Sequence, residues 1–146
     1  QLVIIDGAGE RAMCAGGDVQ ALYDQRSDGG KSASQFWRDE YRLNSKIGSY
    51  PKPFVALMDG IVMGGGIGLG GHASHRIVTE RSMLAMPETT IGLIPEVGGM
   101  WLLATAPGRL GEYLDRTTLI ASFPRTALKT SSKGALRRIW IGRTAH

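Results

Sequence analysis

Glu40 in RDEY is a carboxylate placed where chemistry could be done, and Glu88 in MPET and Glu96 in PEVGG are two further acids along the chain. Such groups act as general acid, general base or nucleophile once burial or a like-charged neighbour lifts their pKa toward neutrality. Glu40 carries a signal of its own. With Phe36, Leu43 and Ile47 it follows the i, i+4, i+7, i+11 spacing of one helix stripe, and a carboxylate on an apolar stripe must be either paired or put to use. The plain alternative for Glu40 is a salt bridge to Arg42, Lys46 or a nearby Arg. For Glu88 and Glu96 it is helix capping, Glu96 standing just before VGGMWLL.

The stretch GIVMGGGIGLGGH, residues 60–72, holds seven glycines with apolar side chains in the gaps. A flexible linker would fill those gaps with Ser and other polar residues, so this stretch belongs in a core. A dinucleotide fingerprint can be laid on residues 64–71, but no acid follows at the required distance and no Gly-Lys-Ser/Thr occurs, which excludes a nucleotide fold. Two loops, CAGGD and MGGGIG, each offer a backbone N–H at a helix start, and two such donors converging make an oxyanion hole. Close packing of helix on strand explains the same glycines equally well, and both readings stand at this point.

The remaining reactive types are weaker. Cys14 reads as a small buried thiol, His72 and His75 as polar residues at a helix end, and Trp37, Trp101 and Trp140 as packing residues.

These groups need elements to hold them. LVIID, residues 2–6, reads as a strand buried on both faces; CAGGDVQALYDQ reads as strand, tight loop and helix. A polar loop follows, with Ser34 capping a helix that Pro51-Lys52-Pro53 ends. FVALMDG is a second buried strand, RIVTE and SMLAMPE are short strands, and VGGMWLLATAPG and RLGEYL are helices. Strands alternating with helices in short units indicate an α/β fold with mainly parallel pairing.

The chain has 146 residues, 42% hydrophobic and 21% charged, enough for one domain with a real core. No apolar run approaches the roughly 20 residues needed to cross a bilayer, and the single cysteine excludes an internal disulfide. The start, QLVIIDG, lacks an initiator Met and a leader pattern, and we expect a fragment cut into at its N-terminus. The net charge of +4 is uneven. Residues 115–146 carry seven Lys/Arg against one acid, leaving the preceding part mildly acidic, so the basic character belongs to the tail.

GERAMCAGGDV, PKPFVALMDGIVMGGGIGLG, AMPETTIGLIPEVGG and PGRLGEYL together resemble the enoyl-CoA hydratase/isomerase (crotonase) superfamily, most of all its 3-hydroxyisobutyryl-CoA hydrolase branch. The resemblance runs from about residue 2 to residue 114 and implies a crotonase-like α/β core of ββα repeats in a spiral, incomplete at both ends. It puts the oxyanion-hole donors on the backbone N–H groups of Ala15 and Gly65 and makes Glu88 and Glu96 the catalytic acids. Glu40, Gly65, Glu88 and Glu96 would bind the substrate. The hydratases of that superfamily carry a second acid at the position held here by Gly68, while the hydrolase branch has an Asp where this chain has Glu96.

The implied activity is hydrolysis of 3-hydroxyisobutyryl-CoA, a step of valine catabolism, with an enoyl-CoA hydratase or isomerase, or an inactive fragment with a basic interaction tail, as alternatives. No metal and no cofactor is expected, coenzyme A being part of the substrate. An acyl-CoA is the expected partner, with no nucleic acid and no membrane, and the parent protein is expected to self-associate. The expected compartment is the cytoplasm in a bacterium or the mitochondrial matrix in a eukaryote, without secretion. Residues 1–114 form the expected catalytic core, and residues 115–146, which match nothing in the superfamily pattern, a basic tail read as aberrant or disordered.

Overall fold

Each pair of consecutive short strands turns a tight corner and delivers its members to different sheets. The computed structural model describes residues 1–105 and the backbone of the strand Ile120–Ser122. In chain order the elements are β1 (Val3–Ile5), β2 (Ala12–Cys14), α1 (Val19–Asp24), α2 (Lys31–Gly48), β3 (Phe54–Met58) and β4 (Ile61–Met63). They are followed by α3 (Gly65–Gly71), β5 (His75–Val78), β6 (Met83–Ala85), α4 (Gly99–Ala104) and β7 (Ile120–Ser122). Turns of 3-10 helix occupy Gln25–Asp28 and Glu88–Ile91.

The first strand of every pair joins the sheet β1-β3-β5 and the second joins β2-β4-β6-β7, with all pairings parallel except β6 with β7. Three strand-strand-helix units stacked in this way are the expected ββα repeat. The register in the second sheet sets Val62 beside Cys14 on one side and Leu84 on the other. A bulge in β2 between Ala12 and Cys14 re-aims the chain just before the Ala15 loop.

Met58, Val62 and Val97 are the largest fully buried side chains, surrounded by Ile47, Ala56, Ile67, Ala73, Val78 and Met86. Burying one such aliphatic side chain stabilises the fold by about 1.5–3 kcal/mol. The glycines of α3 let it sit close on this core. A Cβ at Gly66 would collide with the Cys14 carbonyl, and one at Gly70 would lie 2.8 Å from the Met58 sulfur.

Four expectations are corrected. Strand β1 is not buried on both faces: Leu2 and Ile4 are exposed while Val3 and Ile5 are half-buried, because among the described residues only one face of its sheet is packed. Helix α2 starts at Lys31, not beyond Ser34. The Asp28 carboxylate accepts the N–H groups of Gly30, Lys31 and Ser32, and Gly29 and Gly30 supply the left-handed backbone that brings them round. The inward stripe of α2 is Trp37, Glu40, Asn44 and Ile47; Phe36 and Leu43 lie exposed, so Glu40 faces inward in other company than expected. His75 opens β5, where its ring meets the Ser74 hydroxyl at 3.0 Å, and is no helix-end residue.

The expected RLGEYL helix and Trp140 lie outside the described residues. Of the tail, the described part is β7, which pairs antiparallel with β6.

Candidate active site

The carboxyl ends of three neighbouring parallel strands meet at one place. Ala15 directly follows β2, Gly64 and Gly65 follow β4, and Glu88 lies three residues beyond β6. Gly64 holds a backbone of φ 50°, ψ −119°, open in practice to glycine alone, and this bend turns the chain from β4 into α3. Among the described residues the Gly65 N–H makes no backbone hydrogen bond, as expected for the first turn of a helix.

The two glycine loops abut. A Cβ on Gly16 would lie 3.7 Å from the Gly65 nitrogen, and one on Gly65 would lie 3.6 Å from the Gly17 nitrogen. Main chain of one loop therefore lies against main chain of the other. The packing reading of the glycines holds at Gly66, Gly70 and Gly71, whereas Gly16, Gly64 and Gly65 line the place where the two loops meet.

Two acids flank Gly64 and Gly65. A Cβ on Gly64 would lie 3.3 Å from Glu88 Oε1, and one on Gly65 would lie 3.1 Å from Glu40 Oε1. Glu88 is 5% exposed, and neither carboxylate oxygen has a hydrogen-bond partner; Glu40 Oε2 is likewise buried and unpartnered. Among the described residues Glu40 has no salt-bridge partner, and neither Glu88 nor Glu96 makes a side-chain cap, although Glu88 stands in the first turn of its 3-10 helix. Arg42 pairs with Asp39 at 3.3 Å rather than with Glu40. The helical turn beginning at Glu88 and the helix beginning at Gly99 have no side-chain cap.

Burial raises the pKa of each acid, and for Glu40 and Glu96 mutual repulsion adds to it. Glu40 is pushed up to about 7, first by burial and then by the charges of Glu96 and Glu88. Glu88 is raised by burial. Glu96 is raised by burial and by the charge of Glu88. Trp37 Nε1, buried and without a formed hydrogen bond, lies near enough to Glu96 to offset part of that rise.

The same cluster burdens the fold above acidic pH. The Glu40 carboxyl keeps its proton in the native state up to about 7 after the unfolded chain has lost its own near 4.5, so stability falls as pH rises between those values. Asp59, lowered by its hydrogen bond from Arg81, and Asp28, lowered by its bond from Ser32, act below about pH 4 and outside that window. Urea unfolding should show a loss of about 1–2 kcal/mol between about pH 5 and pH 8. In Glu40→Gln that loss should shrink; an unchanged slope would show that Glu40 is solvated.

Gly68 explains why the hydratase acid is missing. A Cβ there would lie 2.8 Å from the Val97 Cβ and 2.9 Å from both polar atoms of the Asn44 side chain. Asn44 is 4% exposed and its Nδ2 has no partner. The space that a second carboxylate would enter is already filled.

Glu96 is carried by an unusual turn. The Gly99 N–H donates to the Glu96 carbonyl at 2.8 Å, and Val97 and Gly98 between them have φ of 53° and 72°. For a β-branched residue this is a strained conformation, costing about 1–3 kcal/mol. Val97 is fully buried, and its carbonyl meets His72 Nε2 at 2.7 Å.

Sequence reasoning missed Asn44, Trp37 in any role beyond packing, and the pairing of His72 with Val97. Only Asn44 left a trace, as a polar residue one turn after Glu40. Cys14 is free and half-buried, its thiol less enclosed than expected. Among the described residues no group of three His, Cys, Asp or Glu side chains is arranged to hold a metal ion, and no helix is long and apolar enough to cross a membrane.

The family model described as enoyl-CoA hydratase/isomerase matches residues 1–121. The mitochondrial 3-hydroxyisobutyryl-CoA hydrolase of Xenopus tropicalis is 53% identical over 116 residues, which are 80% of this chain and 30% of the frog protein. Among solved structures, a carnitinyl-CoA dehydratase from Mycobacterium thermoresistibile is 55% identical with a TM-score of 0.78, over 83% of this chain and 36% of that one. An enoyl-CoA hydratase from Rhodobacter sphaeroides is 53% identical with a TM-score of 0.75, again over 83% of this chain and 36% of its own. The chain thus spans about a third of the length of these relatives.

Proposed function

The chain belongs to the enoyl-CoA hydratase/isomerase family, and from that premise we propose that it carries the reactive centre of an acyl-CoA thioester hydrolase acting on 3-hydroxyisobutyryl-CoA. The observation that carries this reading is the filled space at Gly68, which leaves Glu88 without the second acid used to add water across a double bond. The hydrolase name of the frog relative supports it.

The N–H groups of Ala15 and Gly65 hold the thioester oxygen and stabilise the negative charge that develops on it. Glu88 either attacks the carbonyl carbon or takes a proton from an attacking water; both routes need the same buried, partnerless carboxylate. On the base route the tetrahedral intermediate collapses to the acid, and the departing CoA thiolate takes the proton held by Glu88; on the nucleophilic route collapse releases the thiolate and leaves a mixed anhydride on Glu88, which water then cleaves to the acid. Glu40, half-protonated near neutrality, donates to the substrate hydroxyl, and Glu96 accepts from it or from the water. Coenzyme A enters as part of the substrate, and the reading calls for no metal or separate cofactor. We place the reaction in the mitochondrion, as in the frog relative, with self-association of the whole protein.

The experiment is a comparison of two thioesters with the purified protein. Free thiol should appear from 3-hydroxyisobutyryl-CoA at a kcat/KM at least about 10-fold above that for hydration of crotonyl-CoA. The reverse order would assign the protein to the hydratases, the activity named for the Rhodobacter sphaeroides neighbour.

A further inference from the structure

We propose that His72 is a positioning residue, which holds Glu96 in the site by fixing the main chain of Val97. The inference rests on the reading of Glu96 as a site acid and adds the device that keeps it there.

Among the described residues Val97 is the one non-glycine residue with positive φ, and it follows Glu96 directly. Such a conformation persists in a β-branched residue only where its surroundings over-determine it. Three contacts do so. The Val97 side chain is fully buried in the core. Its carbonyl can only accept, so the His72 ring meeting it at 2.7 Å must carry its proton on Nε2 and donate. The ring itself is held from the other side, stacked on Trp101 of α4 with centroids 5.7 Å apart at 28°.

The chain around the ring is shaped for it. His72 caps the carboxyl end of α3, whose amino end carries Gly65. A Cβ on Gly98 would lie 2.9 Å from His72 Nε2, so the next turn residue is a glycine where the ring needs the room. One short helix therefore offers an oxyanion donor at its start and, at its end, the clamp on the loop that brings Glu96. Without the clamp the turn from Glu96 to Gly99 relaxes toward negative φ at Val97, and the Glu96 side chain swings with it.

The test uses His72→Phe, which keeps the ring volume and the stack on Trp101 and removes the N–H donor. We expect kcat/KM for thioester hydrolysis to fall by about 10- to 100-fold, the scale of displacing a catalytic group by about 1 Å, with thermal stability little changed. His72→Gln, which returns an N–H donor at similar reach, should recover most of the rate. In a Glu96→Gln background the effect of His72→Phe should vanish, because the group it positions is gone. A turnover unaffected by Glu96→Gln would sink the reading of Glu96 as a site acid. A turnover slowed by Glu96→Gln yet unmoved by His72→Phe, or slowed independently by both, would sink the positioning role alone. Should His72→Phe not fold, His72→Asn, whose donor falls short of the carbonyl, is expected to lose rate while His72→Gln keeps it; equal rates would overturn the proposal. One readout needs no turnover: the Val97 amide coupling reports φ by NMR and should leave the left-handed range on loss of the donor.

Discussion

Glu88→Gln is expected to lower kcat for thioester hydrolysis by about 10²-fold or more while changing KM by less than about threefold. The amide matches the carboxylate in volume, so the 5% exposed pocket that encloses it stays filled. What it loses is basicity and nucleophilicity, neither of which the neighbouring groups replace, since the two oxygens have no partner to relay a proton. Removing the charge also removes its repulsion on Glu40 and Glu96, whose pKa values should fall together. Stability near pH 7 should hold or rise while activity collapses, a combination that packing damage cannot give. If the amide variant keeps near-full turnover, Glu88 is structural and Glu96 becomes the better candidate for the reacting acid.

Gly65→Pro is expected to cost about 10² to 10³ in kcat, the scale of losing one oxyanion donor. Proline suits this place in one respect, because Gly65 is the first residue of α3, where the backbone N–H has no helical use and the proline ring fits. Gly65→Ala is the control: it keeps the N–H but adds a Cβ about 3.1 Å from Glu40 Oε1, a tightness that a small shift of the Glu40 side chain relieves. The alanine variant should therefore lose far less rate than the proline variant at similar Tm. Equal losses would mean that the space beside Glu40 matters and the donor does not. Combined with Glu88→Gln, the proline change should add little further loss, since both act on the same tetrahedral intermediate.

The acids and the loops were legible in the sequence because their signals are local. Glu88 and Glu96 stand in short motifs whose family resemblance singled them out, and runs of glycine between apolar residues announce close backbone approach whatever the fold. Glu40 was picked out for facing inward, which it does with Ile47, but the other two expected neighbours on that face were wrong. Phe36 and Leu43 fit the helical period, yet α2 turns Asn44 inward instead, because the α3 surface against it is Gly68, which leaves room for a polar side chain. Period alone cannot choose between two overlapping stripes when the partner surface is unknown. The start of α2 was misread for a related reason: Ser34 is a good capping type, but Asp28 with two glycines collects three N–H groups at once. The hold of His72 on Val97 joins residues 25 apart in the chain through a side chain and a carbonyl, and no pattern of residue types records such a bond.

The parallel order β2-β4-β6 also sets when the site comes into being. Parallel strands cannot close as hairpins; each must wait for the crossover segment between them, so their pairing is non-local and slow. A chain emerging from synthesis releases the Ala15 loop well before Gly65, and Gly65 before Glu88, and no pair of them can act until β4 has docked between its two neighbours. Catalytic competence is therefore a late event in folding rather than a property of any early piece. A ligand held across all three strand ends would bind only the finished sheet, and by mass action its presence should favour that state over every partly assembled one.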